Sequence, residues 1–261
     1  MANLKGARIL VTRPEHQAGK LSQLITEHGG EAVRFPALAI VEHEDSMGIQ
    51  QKLANLDKFQ WLVFISANAV NFAVKANGGK IRQLSTQRIA AIGSSTAQAL
   101  QAVGLSVDVM PESSYNSEAL LATAQMQHID GQCFLIVRGM GGREELAEAL
   151  RSRGAEVDYL EVYKRIIPRM DNSHLLALLA TNTLAVVTAT SAEVLQNLLV
   201  MVGIGARQQL LKIPLVVVSE RIRCVAVELG FERIAVTEYP SDTAILETVA
   251  TLCNRSIEWQ N

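Results

Sequence analysis

Hydroxyl, amide and guanidinium side chains recur in this chain just after apolar runs. Thr12-Arg13 follow RILV, Ser66 and Asn68 follow WLVFI, and Ser94-Ser95-Thr96 follow IAAIG. Arg138 with Gly139 to Gly142 follows CFLIV, Thr188 to Ser191 end the run begun at Leu184, and Ser219 to Arg221 follow LVVV. In parallel α/β sheets, ligands bind beyond the carboxyl ends of strands, where helix N-termini offer free N–H groups and partial positive charge. Residues of these types at such places suit a polar, anionic ligand. Helix capping is the readier account of any one of the hydroxyls, but their accumulation at strand ends in both repeats strengthens the case for a polar ligand. Arg13 and Arg138 stand directly after strands, where a guanidinium can pair in bidentate fashion with a substrate carboxylate or with a local Glu. Arg143, Lys164 and Arg221 would widen a basic rim suited to a polyanionic small molecule.

Tyr163, in LEVYKR, is a phenol placed where a second β-α-β unit ends, so it can face a cleft and donate to a leaving oxygen, or simply pack. Tyr115 and Tyr239 precede turn-like residues and are weaker candidates. The stretch RGMGGREE (138–145) resembles a phosphate cradle, but it lacks both the GKS/T ending and the GxGxxG spacing; a tight turn with a helix cap is the more economical reading. His16, His28, His43, His128 and His174 form no H-x-x-H or HExxH pair, and Cys133, Cys224 and Cys253 are spaced for neither a metal cluster nor a disulfide framework. No metal site is expected. With no GxSxG elbow and no Cys–His or Ser–His pattern, chemistry would have to run through positioning, backbone donors and a few hydroxyls.

The elements that must position these residues are set by an internal repeat. Gly6, Leu10, Arg13, Leu21, Gly29 and Glu31 recur as Gly131, Leu135, Arg138, Leu146, Gly154 and Glu156 at one ungapped spacing of about 125 residues. Trp61–Ile65 with the helix after it matches Leu184–Thr188 with its helix, and Ile89–Gly93 matches Leu215–Ser219, at slightly different spacings that put the indels in loops. Residues 8–12 read as a strand followed by Pro14 at a helix start; a helix to Gly29 and a strand near 31–35 complete a β-α-β unit. Each repeat reads as strand–helix five times over, and continuous apolar strands with intervening helices imply parallel sheets covered on both faces. The naive halves, about 6–128 and 131–256, need not be the folded halves. A chain that crosses after the second strand of each repeat would do so near 36–42 and 161–168, with the two crossings side by side.

At 261 residues, with 49% hydrophobic and 19% charged residues and a formal charge of -2, the chain suits two globular units and argues against disorder or a nucleic-acid surface. MANLKGARILVTRP lacks the apolar stretch and cleavage site of a secretory signal, and runs such as Leu195–Met201 fall short of a membrane span. A cytoplasmic protein is expected, without membrane or nucleic-acid partners.

ILVTRP, FISANAVNFA, AIGSSTAQAL, LEVYKR and VVTATSAEVL, in this order and spacing over nearly the whole chain, resemble the uroporphyrinogen-III synthase family. The resemblance implies two similar flavodoxin-like α/β lobes with parallel sheets, their topology exchanged through two strand-like linkers. The first lobe would be 1–36 plus 168–261, the second 41–162, and the linkers about 37–40 and 163–167. It implies conversion of hydroxymethylbilane, a linear tetrapyrrole polycarboxylate, to uroporphyrinogen III with loss of water and inversion of the terminal pyrrole ring, and it implies no cofactor. A monomer is expected, as is transient handover of substrate from the preceding pathway enzyme.

The family's cleft tyrosine matches Tyr163, which the resemblance makes the catalytic candidate. Thr96 matches the hydroxyl of the family's G-x-x-T-A turn, and Ser66 with Asn68 matches the corner after the third strand. Together with Thr12, Arg13, Ser94, Arg138, Gly139, Ser191, Ser219 and Arg221, these are the expected substrate-binding residues. The second repeat departs from the family pattern: Ser219-Glu220-Arg221-Ile222-Arg223 stands where a G-x-T-T-A-like turn is common, and Ala189 where the first repeat has Ser66. A two-lobed cytoplasmic binding protein, or a catalytically idle homologue, for an anionic small molecule is the alternative.

Overall fold

The computed structural model describes residues 3–81 and 86–254; positions 1–2 and 255–261, the ends of the expected first lobe, lie outside the described residues. In chain order the strands are β1 (Arg8–Val11), β2 (Glu31–Arg34), β3 (Ala39–Glu42), β4 (Trp61–Phe64), β5 (Arg88–Ala91), β6 (Cys133–Gly139), β7 (Glu156–Ile166), β8 (Leu184–Ala189), β9 (Leu215–Val217) and β10 (Ile234–Val236). The chain divides into one unit of Met1–Ala39 with Ile166–Asn261 and another of Ile40–Arg165.

The sheet of the first unit has the order β10-β9-β8-β1-β2, with parallel pairing throughout. Taken in the chain order of that unit this is 2-1-3-4-5, the flavodoxin-like doubly wound arrangement. Strand residues alternate between two cores. Leu10, Val187 and Leu215 join the helices Ser173–Ala180 and Ala192–Val202 on one face. Ile9, Val11, Val186 and Val216 join the helices Glu15–Glu27 and Asp242–Asn254 on the other. Both faces are covered, which is why the strands read as unbroken apolar runs. Each fully buried aliphatic side chain contributes about 1.5–3 kcal/mol relative to exposure.

The second sheet has the order β3-β7-β6-β4-β5, with β7, β6, β4 and β5 pairing in parallel. Its two faces are likewise filled, one by Leu62, Phe64, Leu135 and Leu160, the other by Trp61, Val63, Phe134 and Ile136. The repeated glycines Gly29 (φ +76) and Gly154 (φ +83) follow the helices Glu15–Glu27 and Glu145–Ser152 and adopt the left-handed conformation that stops a helix at low cost.

One expectation needs correction. The first repeat does not alternate strand and helix five times: β2 and β3 follow each other with no helix between them, and where the last strand should lie Val109 makes only an isolated parallel bridge to Ala90. Pro111 follows two residues later without an N–H to extend the ladder, and the Asp108 carboxylate accepts from the Ile89 amide at 2.7 Å. At the expected strand-like linker 163–167, β7 continues from Glu156 to Ile166 and carries Tyr163.

Candidate active site

In doubly wound sheets ligands gather where the strand order reverses, outside the carboxyl ends. In the second unit that point lies between β6 and β4, and Gly139 and Ser66 stand at it. The helix Ala67–Ala76 starts there because Ser66 is extended and its Oγ accepts from the Ala69 amide at 3.1 Å, a cap of about 1 kcal/mol. The same Oγ lies 3.2 Å from the Tyr163 hydroxyl. With one lone pair taken by Ala69 N–H, Ser66 has a second with which to accept the phenolic proton, and it can also turn its own proton toward the phenol.

Tyr163 is 2% exposed. Its ring lies tilted at 36° against Phe72, 5.6 Å between centroids, and close against Gly139. A Cβ on Gly139 would lie 2.4 Å from Tyr163 Cε2 and 2.9 Å from its Oη. The glycine is required here for close approach rather than for an unusual φ.

A register irregularity aims this tyrosine. Arg138 pairs with Glu161 and Gly139 with Tyr163, leaving Val162 unmatched between them. Such a β-bulge moves the following side chain to the other face. Tyr163 accordingly packs with Leu160 and Val162, whereas Tyr159 packs on the opposite face.

Beside the bulge Arg138 is 6% exposed. Its Nη2 meets Glu144 at 2.8 Å and Glu161 at 3.0 Å, its Nε donates to Glu161 at 3.1 Å, and its Nη1 donates to the Gly142 and Arg143 carbonyls at 3.3 Å. The guanidinium lies 3.7 Å above the centre of the Tyr159 ring, and the Tyr159 hydroxyl donates to Glu144. Burial works against the Arg138 charge, but the bonds to Glu144 and Glu161 overcome it and leave its pKa raised. The bonds from Tyr159 and Arg138 hold Glu144 below the usual carboxylate value, while burial and the Glu144 bond push the Tyr159 phenol up. The Arg138 donors are thus engaged by Glu144, Glu161 and the carbonyls of Gly142 and Arg143, the pairing with a local Glu that the sequence also allowed. The turn 138–144 is held by side chains rather than shaped as an open phosphate cradle.

In the first unit the reversal falls between β1 and β8. Thr12 is fully buried and its hydroxyl donates to the Thr188 carbonyl at 2.6 Å, while Thr188 donates to the Leu10 carbonyl at 3.0 Å. Thr12 therefore ties β1 to β8. Arg13 meets Asp242, the first residue of the last helix, at 2.5 Å, with both side chains mostly buried. Ser191 and Ser219 cap the helices Ala192–Val202 and Glu220–Glu228, accepting from Val194 at 3.2 Å and Ile222 at 3.4 Å. Arg221 is exposed in the first turn of the latter helix. Among the other candidates, Asn68 and Ser94 are half-buried in the first turns of their helices and Thr96 is buried. Of the expected basic rim, Lys164 pairs with Glu44 and Arg143 is exposed.

The structure thus brings Tyr163, Ser66 and Gly139 together in one unit and Thr12 beside Thr188 in the other. Phe72, Glu144, Tyr159 and Glu161 were not among the sequence candidates. The alternation of Tyr159, Glu161 and Tyr163 in EVDYLEVYK is the one signal that could have pointed to the last two. Among the described residues no group of three His, Cys, Asp or Glu side chains is arranged to hold a metal, and no helix is long and apolar enough to cross a membrane.

Residues 19–247 match the family model described as Uroporphyrinogen-III synthase HemD. The chain is 34% identical to uroporphyrinogen-III synthase of Salmonella typhimurium, the match covering 92% of this chain and 99% of that one. With the synthase of Escherichia coli the identity is 32% over the same shares. The fold is similar to that of a mutant uroporphyrinogen III synthase of Thermus thermophilus, with a TM-score of 0.66 at 16% identity and coverage of 95% of this chain and 98% of that one. It is similar also to that of uroporphyrinogen-III synthetase from Helicobacter pylori, with a TM-score of 0.62 at 15% identity and coverage of 95% and 99%.

Proposed function

The chain belongs to the uroporphyrinogen-III synthase family, and from that premise we propose that it cyclises hydroxymethylbilane to uroporphyrinogen III, with Tyr163 assisting the departure of water. The observation that carries the role of Tyr163 is its hydroxyl, 3.2 Å from Ser66 Oγ at the carboxyl end of β4. The C–O bond of the hydroxymethyl group breaks as the phenolic proton moves toward the leaving oxygen and a pyrrole nitrogen supplies the electron pair, giving an azafulvene-like cation. The substituted carbon of the terminal ring attacks this cation. The spiro intermediate then fragments at the original bridge to that ring, leaving a second azafulvene-like cation. The free α-carbon of the inverted ring bonds to it, and the proton that carbon loses restores the phenol. An unperturbed phenol, with a pKa of about 10, is a weak acid, so its contribution rests on orientation and hydrogen bonding in the transition state as much as on full proton transfer.

The other task is to fold a linear polyanion into a near-cyclic pose, which is catalysis by positioning. The groups that suit it are the exposed guanidinium of Arg221, the Arg13 side chain in exchange for Asp242, and the helix starts at Ser66–Asn68, Ser94–Thr96, Ser191 and Ser219, whose backbone N–H groups favour carboxylates. In this reading the enzyme is a cofactor-independent hydro-lyase, monomeric and cytoplasmic, and takes its substrate by transient handover from the preceding enzyme.

Incubation with freshly generated hydroxymethylbilane is expected to yield the inverted type III isomer. Type I product alone, equal with and without protein, would sink the assignment and favour a binding protein or an idle homologue. Tyr163→Phe is expected to lower kcat by at least several-fold, on the order of the lower range for a lost acid–base contribution, with the urea midpoint close to wild type. Unchanged kcat would remove the hydroxyl from the mechanism.

A further inference from the structure

The bulge in β7 has neighbours on both sides that tie it to a single turn. Before it, Glu161 accepts from Arg138 and from the Gly141 amide, the latter at 3.3 Å. After it, the Tyr163 carbonyl accepts from the Met140 amide at 2.8 Å. The turn that follows β6 thus grips β7 one residue before and one residue after the unmatched Val162. A regular strand would place Tyr159, Glu161 and Tyr163 on one face, and the Tyr163 hydroxyl would then turn away from Ser66. With Tyr163 held against Gly139 by the Met140 bond, pairing without the extra residue would instead slide Val162 onto Arg138 and pull the Glu161 carboxylate off a guanidinium that is 6% exposed, leaving a buried charge short of a partner. The two grips together therefore require the bulge.

We propose that the Arg138–Glu161 ion pair is a register lock, which makes Val162 the extra residue of the bulge and so turns Tyr163 onto the Ser66 face. Arg138 and Glu161 are then positioning residues acting through Tyr163, not ligands of the substrate. The effect on turnover rests on the catalytic reading of Tyr163; the effect on the backbone does not.

Glu161→Gln in the full chain tests the lock. The substitution keeps the shape and leaves Arg138 its bond to Glu144, so the fold is retained. Amide exchange at Met140, whose bond spans the bulge, should quicken by about tenfold while that at Ile136 is unchanged. Turnover should fall by about tenfold with KM within about twofold, and in a Tyr163→Phe background the same change should cost no further kcat. Glu144→Gln, which spares the register pair, should leave Met140 exchange within about twofold of wild type. Unaltered Met140 exchange in Glu161→Gln overturns the lock. So does a raised KM with losses that add to those of Tyr163→Phe, since that is the behaviour of a substrate ligand. If Tyr163→Phe alone turns over like wild type, the catalytic reading of Tyr163 fails and Met140 exchange by itself decides the lock.

Discussion

Gly139 and Tyr163 are one steric unit, because the phenol ring occupies the volume in which a Cβ would stand. Gly139→Ala brings that atom to 2.4 Å from Cε2, and an overpacked site of this kind typically costs about 1–3 kcal/mol. The urea midpoint of Gly139→Ala should fall accordingly. In Gly139→Ala/Tyr163→Leu, where the ring is gone, the loss should be smaller than the sum of the two single losses; strict additivity would show that the two residues do not press on each other. Tyr163 was legible as a candidate because a phenol replaces Leu38 of the other repeat and falls in a V-Y match to the family. Its partner was not legible, since Ser66 reads as a cap whether or not a tyrosine lies above it. The arginines show the same limit. Arg13 and Arg138 are repeat mates, yet the position equivalent to Glu161 is Pro36, and Arg13 takes its acid from Asp242 instead. Pairs so far apart along the chain leave no local pattern.

The turn between β6 and the helix Glu145–Ser152 is an element whose order depends on charge. Its glycines resemble an anion cradle but read more economically as a tight turn, and in that turn Glu144, Glu161 and the carbonyls of Gly142 and Arg143 surround a buried guanidinium. Glycine spacing reports backbone freedom and is silent on which side chains fold back over the turn. Because Glu144 is held below its ordinary value in the folded chain, its stabilisation is complete above the ordinary carboxylate pKa, about 4.3, and is lost as pH falls through the folded value. Tyr159 is shifted upward, so its share is complete below the ordinary phenol pKa, about 10, and is lost as pH rises through the folded value. The stability difference between wild type and Glu144→Gln should therefore form a plateau across neutral pH and close on the acid side. Urea midpoints taken over a pH series measure it, and a difference that persists at pH values well below the carboxylate range would contradict the pairing. The strands were legible because sheets covered on both faces demand unbroken apolar runs. The bulge was not, since inserting one residue in a strand changes which face a side chain takes without changing composition.

At the scale of the molecule the repeat marks similar units without marking where either one ends. The strands of the first unit come from both ends of the sequence, β1 and β2 from one and β8 to β10 from the other, whereas the second unit is a single stretch, Ile40–Arg165. Spacing alone allows two consecutive copies as readily as this arrangement, because hydrophobic pattern reports which residues are buried and not which strands share a sheet. The asymmetry has a consequence for folding. Both core clusters of the second unit, one around Leu62, Phe64 and Leu135 and the other around Trp61, Phe134 and Ile136, draw only on residues within 40–165, and Trp61 stacks on Phe134 at 5.4 Å inside the latter. A contiguous unit with its own two-faced core meets the condition for independent folding. The fragment 40–165, expressed alone, should show a single cooperative urea transition with dispersed amide resonances; a non-cooperative, collapsed fragment would mean that its core depends on the segments flanking it.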